Sequence, residues 1–329
     1  MKNTFTFLLF ILLYLSGLAQ KNNSASNNKT IWKKGCRFSL IVGQAGSKNW
    51  ASGSDVFSLS TNAFLNAYAN GQKGKWYFNS SLIASYGLIN SDEYATIKND
   101  DKIDFFSTIG VNLKKKPALG LGGAFNFRSQ FSNGYDRDYL NQGLKRRTSG
   151  FFAPAYITIA PLGLSYHKKN IDLYITALGF RGVIVSNAPY SYLFQGGIIP
   201  ENLINEKNPA DKERSVAEMY GVDPNKTIQT QVGPYISVGY NNEILKNVSY
   251  VGRLDLFSDF THNKPGNVDI FWTSTFYLKV NNWLSTVYSL DLAYDDDIKK
   301  FGYFKDHSAL QSKSILGIGV SANLGDKKR

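Results

Sequence analysis

Cysteine is nearly missing from this chain: Cys36 is the single one in 329 residues, so no internal disulfide can staple the fold. Cys36 itself reads as a small side chain near the base of a first strand. Histidine occurs three times, at His167, His262 and His307. Each falls in a turn or loop, and His307 merely precedes Ser308, so no base is paired with a nucleophile and an orienting group as a hydrolase requires. Past the N-terminus no apolar run approaches the ~18 residues of a helical membrane span. A helical membrane protein is thereby excluded. A membrane β-barrel is not, because its strands alternate and keep mean hydropathy low.

The formal charge of +12 is spread through turns and loops, with no helix stripe or stacking platform. Nucleic acid is therefore not the expected partner; attraction to anionic lipid headgroups, or plain solubility, accounts for the balance. No cofactor is expected. The three glycines Gly120, Gly122 and Gly123 are followed by strand pattern and no helix, so they make room inside a strand and do not cradle phosphate.

What is present begins with an apolar run over residues 5–15, preceded by Lys2 and followed by Ser16-Gly17-Leu18-Ala19. This predicts a cleaved secretory signal over residues 1–19. A flexible Asn-, Ser- and Lys-rich leader follows over residues 20–31, then a barrel domain over 32–325 and a charged tail over 326–329. Aromatic residues make up 14% of the chain, with 20 Tyr and 22 Phe, an excess that suits the girdles at bilayer interfaces.

Twelve strand-like segments are joined by connections that alternate between tight and long. The tight ones are residues 71–74, 115–117, 167–170, 242–246 and 281–282; the longer ones are 44–55, 89–101, 132–149, 186–227, 261–266 and 295–311. Short turns on the periplasmic side and longer loops outside are the pattern of an antiparallel barrel in an outer membrane. Within the segments the period is two. Over 268–280, Val268, Ile270, Trp272, Phe276 and Leu278 oppose Asp269, Thr273, Thr275 and Lys279. The segments run to roughly 11–15 residues, longer than the usual globular strand of about 5–6 and sufficient for a tilted span of about 9–11. Unpaired backbone is not tolerated in lipid, so the expectation is one closed, all-β, up-and-down antiparallel barrel of about twelve strands. In the fourth outer loop, Asn208-Pro209 before Ala210 and Gly221 at the far end predict a short helix over 210–220.

The segments also resemble a known group, the outer-membrane β-barrels of Bacteroidota known only as a domain of unknown function. The matching stretches are Trp32-Lys33-Lys34-Gly35, Asn49-Trp50-Ala51-Ser52-Gly53, Gly74-Lys75-Trp76 with Tyr86-Gly87-Leu88, Asp100-Asp101-Lys102-Ile103-Asp104 and Phe151-Phe152-Ala153-Pro154-Ala155-Tyr156. Further on come Gly221-Val222-Asp223-Pro224, Leu254-Asp255-Leu256-Phe257-Ser258, Asn267-Val268-Asp269 and Tyr294-Asp295-Asp296-Asp297-Ile298. The resemblance implies an outer-membrane barrel and supplies no activity. One departure is the ending Ala322-Asn323-Leu324-Gly325, which lacks the terminal aromatic that barrel-assembly machinery reads in such proteins.

Charges on the polar faces are the candidate lumen-lining residues: Asp104, Arg128, Arg181, Arg253, Asp255, Asp269, Lys279 and Asp291. Inside a barrel they can line a passage or tie opposite walls together. Both signs occur, so no ion selectivity is expected. Asp295, Asp296 and Asp297 are the densest acidic run, but neighbours on extended chain point in alternating directions and the spacing of a calcium loop is missing. The leading functional expectation is a narrow pore for small solutes, surrounded by outer-membrane lipid and inserted by the assembly machinery. A structural barrel whose large outer loops bind a partner is the alternative, and an outer-membrane hydrolase trails both.

Overall fold

In the computed structural model, the described residues are 30–46, 57–91, 96–113, 116–139, 144–186, 193–194, 197–198, 216–223, 226–262, 266–299, 301 and 307–325. The expected signal, most of the leader and the charged tail lie outside them. Twelve long strands form the barrel: β1 (Ile31–Gly46), β2 (Phe57–Lys73), β3 (Trp76–Ser91), β4 (Ile97–Leu113), β5 (Lys116–Ser129), β8 (Ala155–Lys168), β9 (Ile171–Ile184), β12 (Ile228–Leu245), β13 (Val248–Ser258), β14 (Val268–Lys279), β15 (Leu284–Tyr294) and β16 (Gln311–Gly325). Two short hairpins complete the numbering, β6 (Gly134–Tyr139) with β7 (Leu144–Ser149), and β10 (Leu193–Phe194) with β11 (Gly197–Ile198). Both hairpins sit in connections expected to be irregular. Every long strand pairs antiparallel with its neighbours, and β1 pairs with both β2 and β16, so the ring has no free edge.

Strands run from 11 residues in β13 and β15 to 18 in β12. Several reach further toward the long loops than the sequence pattern alone sets them. The period-two faces explain the inside and the outside. Leu40, Ile109, Ile159, Leu178, Phe180, Leu316 and Ile318 stand exposed on the outer wall, while Ser39, Asn62, Asn66, Thr108, Asn126, Thr158 and Ser237 are buried within it. A soluble sandwich would show the reverse, and a continuous exposed apolar band around a polar interior is the arrangement that lipid solvates. Trp32, Trp76 and Trp283 are exposed at the short-turn end, where interfacial aromatics anchor a barrel. No helix of the described residues is long and apolar enough to cross a membrane.

Close approach decides some of the glycines. A Cβ on Gly122 would drive into the Ile109 carbonyl across the β4–β5 pair, which is why a strand tolerates glycine there. On β12 a register shift between Gly233 and Tyr235 bends the strand toward the loop end.

The helix expected over residues 210–220 falls mostly outside the described residues. One four-residue helical turn, α1 (Val216–Met219), is described, followed by Tyr220 and Gly221 with φ +72°. Ala217 and Val222 are buried against Ala153, Tyr156, Val183 and Val185, with Phe271 beside them, and Met219 is buried as well. Tyr156 and Phe271 belong to the interior face of β8 and β14, so this turn is folded into the mouth of the barrel.

Candidate functional site in the barrel interior

Midway along the lumen, four charges from two walls form one network. Arg128 on β5 donates to Asp104 Oδ2 at 2.9 Å and to Asp255 Oδ2 at 2.6 Å. Arg253 on β13 pairs with Asp104 and donates from Nε to Asp255 Oδ2 at 3.0 Å. Tyr235 donates to Asp255 Oδ1 at 2.8 Å, and Asn126 to Asp104 Oδ1 at 3.1 Å. On one side of the ring β8, β9 and β12 separate β5 from β13, so the pairs cross the lumen. The guanidiniums also lie over rings, Arg128 at 4.3 Å from the Phe271 centroid and Arg253 at 5.3 Å from Phe106. Two cations and two anions cancel, which offsets the several kcal/mol that each buried ion loses on leaving water. Adjacent to the network is a void of about 10 Å³, room for about one water.

On the short-turn side of this septum the interior holds an apolar cluster beside buried polar side chains such as Ser39 and Asn66. Ile41, Phe64, Ile83, Val251, Tyr277, Val287 and Ile315, from seven different strands, are buried against one another. A second interior cluster joins Ala124, Ala160, Tyr174, Tyr235 and Phe257. Such clusters inside a membrane barrel fill the lumen with side chains.

Toward the long loops two further ionic groups span the interior. Lys102 donates to both oxygens of Asp291 at 2.7 and 2.9 Å, and Lys313 pairs with Asp100 and, at 3.2 Å, with Asp291. Arg181 pairs with Asp269 and donates from Nε to Gln231 at 2.5 Å, while Gln231 donates to Asp297 at 2.7 Å. Asp295, buried just past the end of β15, has its carboxyl pushed up to about 7 by burial and by Asp269 and Asp297, against the opposing pull of Arg181.

Of the expected lumen residues, Asp104, Arg128, Arg253 and Asp255 meet in one network, Arg181 and Asp269 in another, and Asp291 in a third. Lys279 does not join them; it is the last residue of β14 and is exposed at the short-turn end. The three neighbouring aspartates diverge. Asp296 accepts from Asn267 at 2.8 Å, Asp297 from Gln231, and Asp295 accepts from the Asp297 amide at 2.9 Å. Among the described residues no group of three His, Cys, Asp or Glu is placed to hold a metal. His167 lies within β8 and not in the turn, with Nδ1 2.8 Å from Asp172 and its ring on Tyr77. His262 sits 3.0 Å from Asp259.

Sequence reasoning passed over Lys102, Lys313, Tyr235 and Tyr156. Lys102 shares the parity of Asp104, an expected inward residue, and Lys313 shares that of Ile315, which the structure buries in the interior. Their cross-lumen partners depend on barrel shear, which one strand does not encode.

Between the septum and the inserted turn lies a chamber of about 270 Å³. Its lining includes Lys102, Arg128, Lys313, Asp291, Tyr156, Tyr220 and Phe271. Tyr156 is one of these lining residues, and its hydroxyl is buried with no hydrogen-bond partner.

A family described as "Protein of unknown function (DUF3078)" matches residues 42–135. No curated protein matches the chain. Among solved structures, the translocator domain of the autotransporter NalP from Neisseria meningitidis is similar at 9% identity, covering 97% of this chain and 97% of that one, with a TM-score of 0.32. An outer membrane channel from Pseudomonas putida F1 is similar at 8% identity, covering 93% and 100%, with a TM-score of 0.33. The P. putida toluene transporter TodX is similar at 10% identity, covering 93% and 92%, with a TM-score of 0.26.

Proposed function

We propose that this protein is an outer-membrane barrel, delivered through a cleaved signal peptide, whose lumen is closed to free diffusion and whose long-loop end is the working face, a surface that binds. The observation that carries this reading is the cross-lumen septum, Arg128 to Asp255 and Arg253 to Asp104, backed on its short-turn side by the cluster from Ile41 to Ile315. A pore needs a wet path from end to end, and here buried ion pairs and methyl groups occupy it. The open ground is the chamber above the septum, bounded by residues of the inserted turn.

Recording from the purified full chain in planar bilayers tests the reading. No single-channel events are expected across the usual range of voltage. Stable openings of the native barrel would overturn it.

A gated passage is the second reading, favoured by one observation: the interior carries more buried polar side chains, such as Ser39, Asn62, Thr108 and Asn126, than a mere scaffold requires. In that case the septum is the gate, and conductance would appear on addition of a solute or on replacing Arg128 and Asp255 together.

A further inference from the structure

We propose that the chamber above the septum binds an uncharged, polyhydroxylated solute, a single sugar-like ring or the end of a chain of such rings. The inference rests on the closed-barrel reading, since it takes the chamber as an end point and not a stretch of a channel.

Every ion facing the chamber already has an opposite partner: Lys102 holds both oxygens of Asp291, Lys313 bridges Asp100 and Asp291, Arg128 bridges Asp104 and Asp255, and Asp101 pairs with Lys98. A ligand carboxylate or ammonium would have to displace one of these partners and strand a buried charge, which loses more than the new pair returns. A hydroxyl makes no such demand. It both donates and accepts, so it can add to an ammonium or carboxylate without breaking the pair already there.

These side chains also keep spare bonding capacity. An ammonium has three donors and a guanidinium five. Lys102 spends its bonds on Asp291 alone, and the bonds of Arg128 leave from Nε and Nη2. Most telling is Tyr156, a residue of the chamber lining whose hydroxyl is buried without a partner. A buried polar group left unpaired is costly, so the site is completed by something that brings a hydrogen bond to it.

The chamber's shape fits such a ring as well. Tyr156 and Phe271 stand with ring centroids 5.4 Å apart, and Tyr220 of the inserted turn lines the same space. Aromatic walls with a few convergent polar groups suit a ligand that has an apolar ring face and a polar edge. The volume of about 270 Å³ is near the lower end of small-molecule sites, which fits one ring.

The test uses the full chain purified in a sugar-free detergent and titrated by calorimetry with glucose, maltose, glucuronate and glucosamine. Saturable binding of glucose or maltose is expected, with the two charged sugars binding more weakly. Tyr156→Phe removes the hydroxyl alone and should weaken neutral-sugar binding about tenfold, the loss of one buried hydrogen bond. Heat-dependent gel mobility checks that this variant is folded; if it is not, Tyr220→Phe serves as the second variant and should weaken binding less. Preference for a charged sugar, indifference to Tyr156→Phe in a folded barrel, or no binding by any of the four would overturn the proposal. Bilayer recording separates the two readings. Silence without sugar binding ends this inference alone, and conductance that glucose blocks ends the closed-barrel reading while keeping the site.

Discussion

Arg128 Nη2 lies 2.6 Å from Asp255 Oδ2, although β8, β9 and β12 stand between their strands around the ring. A contact of that length joins distant staves through a few side chains. Twelve strands enclose more space than an eight-stranded barrel, whose interior side chains just fill it, and here long charged side chains take up the difference. The septum therefore ties the β4–β5 wall to β13.

Removing one member should cost more than removing all. Asp255→Ala leaves Arg128 and Arg253 short of a buried counter-ion, and the expected loss is about 3–5 kcal/mol. Replacing Asp104, Arg128, Arg253 and Asp255 together by apolar residues of similar volume should cost far less, since no charge is then stranded. Urea unfolding of barrels refolded into vesicles measures both. Equal destabilisation by the single and the fourfold replacement would contradict the picture of a mutually neutralised network.

The outer face of β16 offers a depth series. Leu316, Val320 and Leu324 are all exposed and share one face, with Leu324 next to the short-turn end. If acyl chains cover this face, Leu316→Arg should cost about 2–4 kcal/mol near the midplane and Leu324→Arg only about 0–1. Unfolding from vesicles gives the gradient. A flat series, the same at all three positions, would mean that something other than lipid lies against the wall.

Asp295 makes the loop end sensitive to pH. Its carboxyl is raised to about 7 by burial first and then by Asp269 and Asp297, with Arg181 opposing. An unfolded aspartate titrates near 3.9, so between about 4 and 7 the folded chain holds a proton that the unfolded one has released. The stabilising contribution is therefore full below about 4 and is lost as pH rises through about 7. Protection of the Ala217 and Val222 amides against hydrogen exchange should fall from pH 5 to pH 8. Asp295→Asn should flatten that dependence, leaving protection at pH 8 above that of the native chain. An unchanged slope in this variant would remove Asp295 as the cause.

Much of the architecture could be read before any coordinates, because alternation such as Val268, Ile270, Trp272 against Asp269, Thr273, Tyr277 fixes which side each residue faces. The order of tight and long connections did the rest. What escaped were features set by distant parts of the chain. The hairpin of β6 and β7 carries no strict alternation, and the partners of Lys102 and Lys313 follow from how far each stave is staggered around the ring. Lys279 has the inward parity but sits at a strand end, where facing inward no longer means being enclosed. The cross-lumen pairing was equally hidden: a list of inward charges is the same for separated charges and for a septum until their separations are known.

The inserted turn gives a last and separable prediction. Gly221 has φ +72°, and a Cβ there would stand 2.7 Å from the Asp297 Cβ. Gly221→Ala therefore meets both backbone strain and a clash, with an expected local cost above the roughly 1 kcal/mol of an ordinary Gly replacement at positive φ. The turn touches the barrel through Ala217 and Val222 at its mouth, while the septum lies below. Exchange protection of residues 216–222 should accordingly drop in Gly221→Ala with the urea midpoint of the barrel unchanged. Loss of both together would mean that the turn is part of the barrel's cooperative core, and the mouth could not then open without unfolding the protein.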